Sequence, residues 1–395
     1  MKKEIIKIWK KLHQDQLLGF YASMGLRTTA VTMVGVFVPF YLYELGFGLQ
    51  SILGYYLAFA GFRVFFNLIT TYPIARFGPK HMMAASTATG IVHLALLFSL
   101  ETHEWPLTLL AAVYSLTNAL FFTSYHVIFS KIKVSREAGK ELSLMLILRR
   151  LGSMIGPLMG GLLANSYGLQ ISLVVASILM FLSLAPLFFT KEPVRVHQHI
   201  KFNGLGRKLL PLWRDWTAIS FISLSGLVSA MLWTLYISLT IFVDNTYAVI
   251  GLLSTFAVLL SMLSAGLVGR LTDAHGARQL MRMGLAVEAL TGIARLFIGS
   301  PTPAVVHNIV RAQVEATKSV PATKGYYAQT DDFPGQRIVY IAVTESILIF
   351  VRGVFFLSLI VLMEFFDPLN ILLYGSVTAS LLGLIGLIEK YKALD

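Results

Sequence analysis

The residues in this chain that could do chemistry are charges set inside apolar stretches. His307, Arg311 and Glu315 recur at i, i+4 and i+8, with Lys318 one turn on. That spacing puts them on one face of a helix. An imidazole, a guanidinium and a carboxylate on one stripe can hold a proton, pass it on, or bind a polar solute. An Arg311–Glu315 pair that only neutralises itself is the plainer alternative. Arg27 sits in another apolar stretch with Tyr21, Thr28 and Thr32 nearby and no acid in its own segment. Its partner must come from another helix, from water or from an anionic solute. Glu288 and Arg295 are seven residues apart, as are Glu345 and Arg352, so each pair shares a helix face. Arg149 and Arg150 adjoin and point about 100° apart, so they cannot both face one partner.

Other chemistries lack their residues. The chain has no cysteine, which excludes disulfides and thiolate ligands. Gly139-Lys140 is followed by Glu141 and has no glycine five before it, so no phosphate loop is formed. No zinc-binding HExxH or nucleophile-elbow GxSxG pattern occurs. No metal, no cofactor and no enzyme activity are expected.

The elements that must position these charges follow from composition. Of 395 residues, 56% are hydrophobic and 13% charged, with a mean hydropathy of +0.72. Soluble domains are about 25% charged. A chain this apolar is expected to be an integral membrane protein, with the lipid bilayer as its first partner. Segments long enough to cross are expected at roughly 17–43, 50–75, 82–100, 105–130, 142–166, 168–189, 216–243, 246–270, 280–299, 302–323, 337–362 and 368–388.

A net charge of +12 is also what a nucleic-acid partner would call for. Topology explains it instead. Arg27, Arg63, Arg149, Arg150, Arg295, Arg311 and Arg352 fall inside spans, and every other lysine or arginine falls in the tails or even loops. The odd loops carry Glu44, Glu101, Glu104, Asp244, Glu364 and Asp367. The positive-inside rule then places both termini in the cytoplasm of a plasma (inner) membrane protein. No nucleic-acid partner is expected.

The polar, basic stretch 191–215 divides the chain into 1–190 and 216–395, six spans each. Gly78 and Gly276 are offset by 198 residues, and Gly139 and Gly335 by 196. Near-constant offsets indicate a duplicated six-span unit, a feature of transporters. By that offset Tyr114 and Asn118 correspond to Arg311 and Glu315, and Arg149 corresponds to Glu345.

Two motifs carry a family resemblance. Gly269, Leu271, Asp273, Gly276 and Arg278 form Gly-x-Leu-x-Asp-x-x-Gly-x-Arg after the eighth span. Gly152, Gly156, Pro157, Gly160 and Gly161 form Gly-x-x-x-Gly-Pro-x-x-Gly-Gly in the fifth. With these motifs and 6+6 spans, nearly the whole chain resembles the major facilitator superfamily, in particular its drug-efflux members. The first-half copy of the loop motif has Ala75 in place of the Asp and Thr71 in place of the Gly. Ser143 stands where the antiporter pattern has a further glycine, and the fourth span lacks the Arg that such exporters carry.

The resemblance implies an all-α fold of twelve transmembrane helices in two pseudo-symmetric six-helix bundles. It implies a gating role for Gly269, Asp273, Gly276 and Arg278, and close helix packing at the glycine motif. Spans one, four, seven and ten would line a central cavity, which brings in Tyr114, Asn118, Trp233 and Tyr236 beside Arg27, His307, Arg311 and Glu315. Arg149, Arg150, Glu288, Glu345 and Arg352 are candidates for coupling or for ion pairs. The expected function is alternating-access transport of a small organic solute, as proton-coupled efflux by a monomer. Glu315 would carry the proton and Arg311 would tune it. Seven intramembrane arginines against three glutamates leave open an organic-anion uptake or exchange carrier. A transporter-like lipid flippase or sensor is the third reading.

Overall fold

The computed structural model describes residues 2–132, 138–188, 192, 200, 210–333 and 335–394, and their side chains except those of 2–18, 129–147 and 264–275. Among the described residues every regular element is helical. Among the described residues, nine helical stretches are long and apolar enough to cross a membrane: Gly19–Glu44, Leu49–Phe77, Pro79–Glu101, Leu107–Ile128, Leu169–Phe188, Leu210–Thr240, Thr246–Leu263, Arg337–Leu362 and Pro368–Ile388. Helices Ala138–Tyr167, Ala277–Ala294 and Pro301–Gln329 carry most of the charged residues singled out above. Those charges need protein neighbours, since lipid offers none.

Turns between helices are tight, and three of them are alike, Gly168 (φ 83°, ψ 157°) before Leu169–Leu182 being one. Gly78 (φ 93°, ψ 151°) and Gly276 (φ 81°, ψ 145°) each precede the first residue of a helix. Only glycine takes that conformation without strain. A second pair obeys the same spacing. The Glu192 carboxylate accepts from the Lys80 N–H at 3.1 Å, and Glu389, 197 residues on, accepts from Arg278 Nε at 2.8 Å. Gly139 and Gly335 do not match: Gly139 lies inside the Ala138–Tyr167 helix, whereas Gly335 occupies a turn with φ 78°.

Two helices depart from the expected spans. The seventh stretch is not continuous α-helix. It runs as Trp213–Ser223, a π-turn over Leu224–Val228, and Ser229–Thr240. The tenth does not stop near residue 323 but continues through Pro321 to Gln329. Lys318 is therefore a buried helical residue rather than a loop cation.

The helix Lys2–Gly35 packs along Ala138–Tyr167, which on its other side meets Thr246–His275. The glycine motif makes both contacts possible. A Cβ on Gly152 would lie 2.6 Å from the Gly25 carbonyl, and one on Gly156 would lie 2.6 Å from that of Thr29. One on Gly160 would meet Met33. Gly161 turns to the other neighbour, 3.0 Å from the Gly251 Cα by the same construction. Small residues at four-residue spacing permit such backbone approach in lipid. The halves of the chain meet again where Leu49–Ile69 packs on Arg337–Leu362.

Aromatic contacts join the halves at both ends. Phe37 and Phe40 meet Tyr247 edge-on, and Tyr56 stacks on Phe356, at the end bearing the odd loops. At the opposite end His126 packs against Tyr326 and Tyr327. Replacing Gly160 by Leu should lower stability by at least about 1–3 kcal/mol through overpacking. Gly54→Ala, with no atom within 4 Å of the new Cβ, should not. Thermal unfolding of the two variants in detergent checks this.

Candidate functional site

The stripe on Pro301–Gln329 meets its partners on helices Trp213–Thr240 and Ala277–Ala294. Lys318 Nζ lies 3.1 Å from Glu315 and 3.4 Å from Glu288, and donates to Ser225 Oγ at 2.8 Å. Lys318 and Glu288 are wholly buried, while the Glu315 side chain keeps 37% of its exposure. The π-turn creates the seat. It brings Ser225 to Lys318, and it presents Gly226 to the Glu315 carboxylate, where a Cβ would sit 2.8 Å from Oε1. Such single π-turns inside α-helices recur at functional sites. Ser380 donates to Glu288 Oε1 at 3.3 Å and meets Ser229 Oγ at 2.8 Å.

One turn away sits a cationic layer. Arg295 is fully buried and donates to Ser229 Oγ at 2.6 Å and to the Ser376 carbonyl at 2.9 Å. Its guanidinium lies 5.5 Å from the Trp233 ring centre. His307 packs edge-on against the same indole, and Tyr236 stacks on it at 5.8 Å. Arg311 makes no ion pair with Glu315 among the described residues. Lys318 takes that place, so the expected i, i+4 pair is replaced by an i, i+3 pair. The physical reason is burial: the ammonium is closed off from solvent and needs both carboxylates.

A second cluster bridges the halves. Glu345 pairs with Arg63 at 3.3 Å and with His126 Nε2 at 3.5 Å, while His126 Nδ1 contacts the Tyr327 hydroxyl. Arg149 and Glu345, which correspond by the repeat, make no ion pair among the described residues. Arg149 lies over Tyr125, 4.9 Å from its centre. Glu345 faces Arg63 because Leu49–Ile69 is the helix that packs on its own. Arg352, one face-repeat on, donates to Ser223 beside the π-turn. Arg150 is half-buried and joins neither cluster among the described residues.

A third feature is a cavity of about 220 Å³ within the first half. Arg27, Arg149, Tyr114, Asn118, Phe121 and Phe122 line it. Asn118 donates to the Tyr114 carbonyl at 2.8 Å. None of His307, Arg311 and Glu315 is among the lining residues, so Tyr114 and Asn118 do not share their cavity as the pseudo-symmetry suggested. Two further residues, Glu192 and Glu389, were missed from sequence. Their 197-residue offset is the signal that marks them.

Of the expected gating residues, the side chains of Gly269 and Asp273 lie outside the described residues. Gly276 makes the turn described above. Arg278 donates to Glu389 and, at 2.9 Å, to the Tyr391 carbonyl, holding the end of the chain.

Buried charges shared between helices, beside a largely apolar cavity that two arginines enter, fit a membrane transporter rather than an enzyme. The chain belongs to the Major Facilitator Superfamily, whose family description matches residues 20–312. It is 26% identical over 306 residues to the multidrug resistance protein MdtG of Citrobacter koseri, covering 74% of each chain. In fold it is similar to a peptide transporter POT solved in complex with sulfate, at a TM-score of 0.72 and 14% identity over 94% of this chain and 93% of that one. It is also similar to the nucleoside transporter NupG, at a TM-score of 0.68 and 14% identity over 95% and 100%.

Removing one partner of a buried ion pair costs about 3–5 kcal/mol. Lys318→Met should therefore destabilise the protein by that amount, and adding Glu288→Gln should restore much of it. Thermal unfolding of the single and double variants measures the coupling.

Proposed function

We propose that the chain exports small organic solutes across the inner membrane by proton-coupled alternating access, with Glu315 as the proton carrier. The observation that carries this reading is the uneven exposure of the Lys318 triad. Two carboxylates share one ammonium, so the triad is one negative charge in excess when both are ionised. Glu288 is sealed and Glu315 is open on one side. Protonating Glu315 removes the excess and leaves Lys318 matched by Glu288. Solvent access and proton occupancy are thereby linked. Lys318 takes the tuning role, with Arg311 and Arg295 adding positive charge nearby.

The likeness to multidrug resistance proteins supports export as the direction. The nine apolar stretches and three charge-bearing helices among the described residues, with the near-constant offset of Gly78–Gly276 and Glu192–Glu389, support two six-span bundles over 1–190 and 216–395 with 191–215 between them. Placement of the basic residues supports cytoplasmic termini. Asp273 is proposed as the gating carboxylate. An anion there would be favoured at the positive end of a helix in the other half.

The test uses everted vesicles energised by respiration, with a pH-sensitive dye inside and pooled lipophilic cations and organic anions added. Wild type should release protons on addition of one pool. Glu315→Gln should abolish that release while sparing solute-for-solute exchange. Unchanged proton release in the variant would exclude Glu315 as the carrier.

A further inference from the structure

Among the described residues, Arg63, Arg278, Arg337 and Lys318 each meet a carboxylate within 3.4 Å, while Arg295 and Arg352 are held by serine hydroxyls and a carbonyl away from any cavity described above. Arg27 and Arg149 meet none among the described residues, and both line the 220 Å³ cavity. No aspartate or glutamate is among the residues lining that cavity.

Arg27 is 5% exposed and held by neutral groups alone. Its Nη1 donates to Thr87 Oγ1 and its Nη2 to Ser86 Oγ, each at 2.9 Å. Both hydroxyls spend their own protons on carbonyls, Ser86 on Thr117 at 2.7 Å and Thr87 on Met83 at 3.1 Å. They are thus locked as acceptors for the guanidinium and fix its plane. Phe121 lies 4.1 Å beneath it. The arrangement orients a cation and does not neutralise it. A buried charge without a counter-charge is strongly unfavourable, and a fixed guanidinium fork matches a carboxylate in two hydrogen bonds. Aromatic rings supply the rest of the lining, with Tyr55, Tyr56 and Phe122 able to cover a flat apolar body.

We propose that this cavity binds an organic acid with an aromatic body, its carboxylate held by Arg27 and Arg149, and that this is the class of solute the protein exports. The substrate-class part rests on the export reading. The binding part does not. A cation would enter a site already carrying uncompensated positive charge. A neutral solute would leave that charge unmet. The aromatic acid answers both the guanidinium groups and the rings.

The test is calorimetric titration of the full chain in nanodiscs with 1-naphthoate, 1-naphthamide, 1-naphthylmethylammonium and sulfate. Naphthoate should bind at least about tenfold more tightly than the amide, as charge-assisted hydrogen bonds imply. Arg27→Gln and Arg149→Gln should each remove about that factor, and Arg27→Lys should restore part of it. Thermal unfolding of each variant accompanies the titration, and Arg149→Gln carries the test should Arg27→Gln not fold. Equal binding of amide or ammonium, sulfate binding without naphthoate, or undiminished naphthoate binding by both glutamine variants would overturn the site.

Flux of the same probes into proteoliposomes under a pH gradient separates the two readings. Ammonium flux untouched by Arg27→Gln would overturn the anion class and leave export standing. Arg27-dependent naphthoate binding with no pH-driven flux of any probe would keep the site and overturn export.

Discussion

A cation that lipid cannot solvate must be met inside the protein, and much of this structure follows from where each one is met. Lys318 is the sharpest case. Its ammonium is closed to solvent and lies within reach of two carboxylates from two helices. Holding them together requires helices Ala277–Ala294 and Pro301–Gln329 to pack closely. Gly284 permits it, since a Cβ there would lie 3.1 Å from the Lys318 backbone nitrogen. It also requires the neighbouring helix to yield a hydroxyl and a bare backbone at the right height. A regular α-helix over 213–240 advances its side chains by about 100° per residue. The π-turn at Leu224–Val228 breaks that progression where Ser225 and Gly226 meet the triad.

Where charge is absent, shape takes over. The contact of Lys2–Gly35 with Ala138–Tyr167 depends on glycines rather than on ion pairs. In lipid there is little hydrophobic drive between helices, and close van der Waals approach replaces it. Ala138–Tyr167 also sets its Gly161 against Gly251 of the other half, where Thr255 donates to the Met154 carbonyl at 2.9 Å. One glycine-rich helix thus faces one neighbour within its half and one across it.

The positions of the helices and the charged stripe were legible in the sequence because hydropathy and a 3.6-residue period report directly on what faces lipid. The partners were not. Pairing depends on helix rotation and register, which no single segment encodes. Glu345 shows the difference. The repeat offset matched it with Arg149, but pseudo-symmetry relates equivalent positions and does not say which residues touch. Arg63 takes the pair because its helix is the one packed there. Lys318 was counted with the even-loop cations, near the expected end of the tenth span. The helix passes Pro321, and Glu288 and Glu315 supply what the apolar surroundings lack. Asn118 and Tyr114 were matched to Arg311 and Glu315 by the same offset, yet they line a cavity whose lining lacks Arg311 and Glu315.

The three charged regions are contiguous, and this constrains how the protein can move. Phe122 forms part of the cavity wall, and Arg63 lies 4.9 Å over its ring. Arg63 pairs with Glu345 across the halves, and Glu345 shares a helix face with Arg352. Arg352 donates to Ser223, two residues before the Ser225 that binds Lys318. Any separation of the halves at the end bearing the even loops must part Glu345 from Arg63 and His126. That would leave a buried cation and a buried anion unmatched unless water, a proton or a solute charge reaches them. Among the described residues, separation at the opposite end parts aromatic faces, the Gly161–Gly251 backbone contact and polar contacts at the rim, such as Tyr247 with Glu44 and Gln50 with Glu364. The two ends are therefore not equivalent: one opens against rings and rim hydrogen bonds, the other against charge. Events that change charge act on the second.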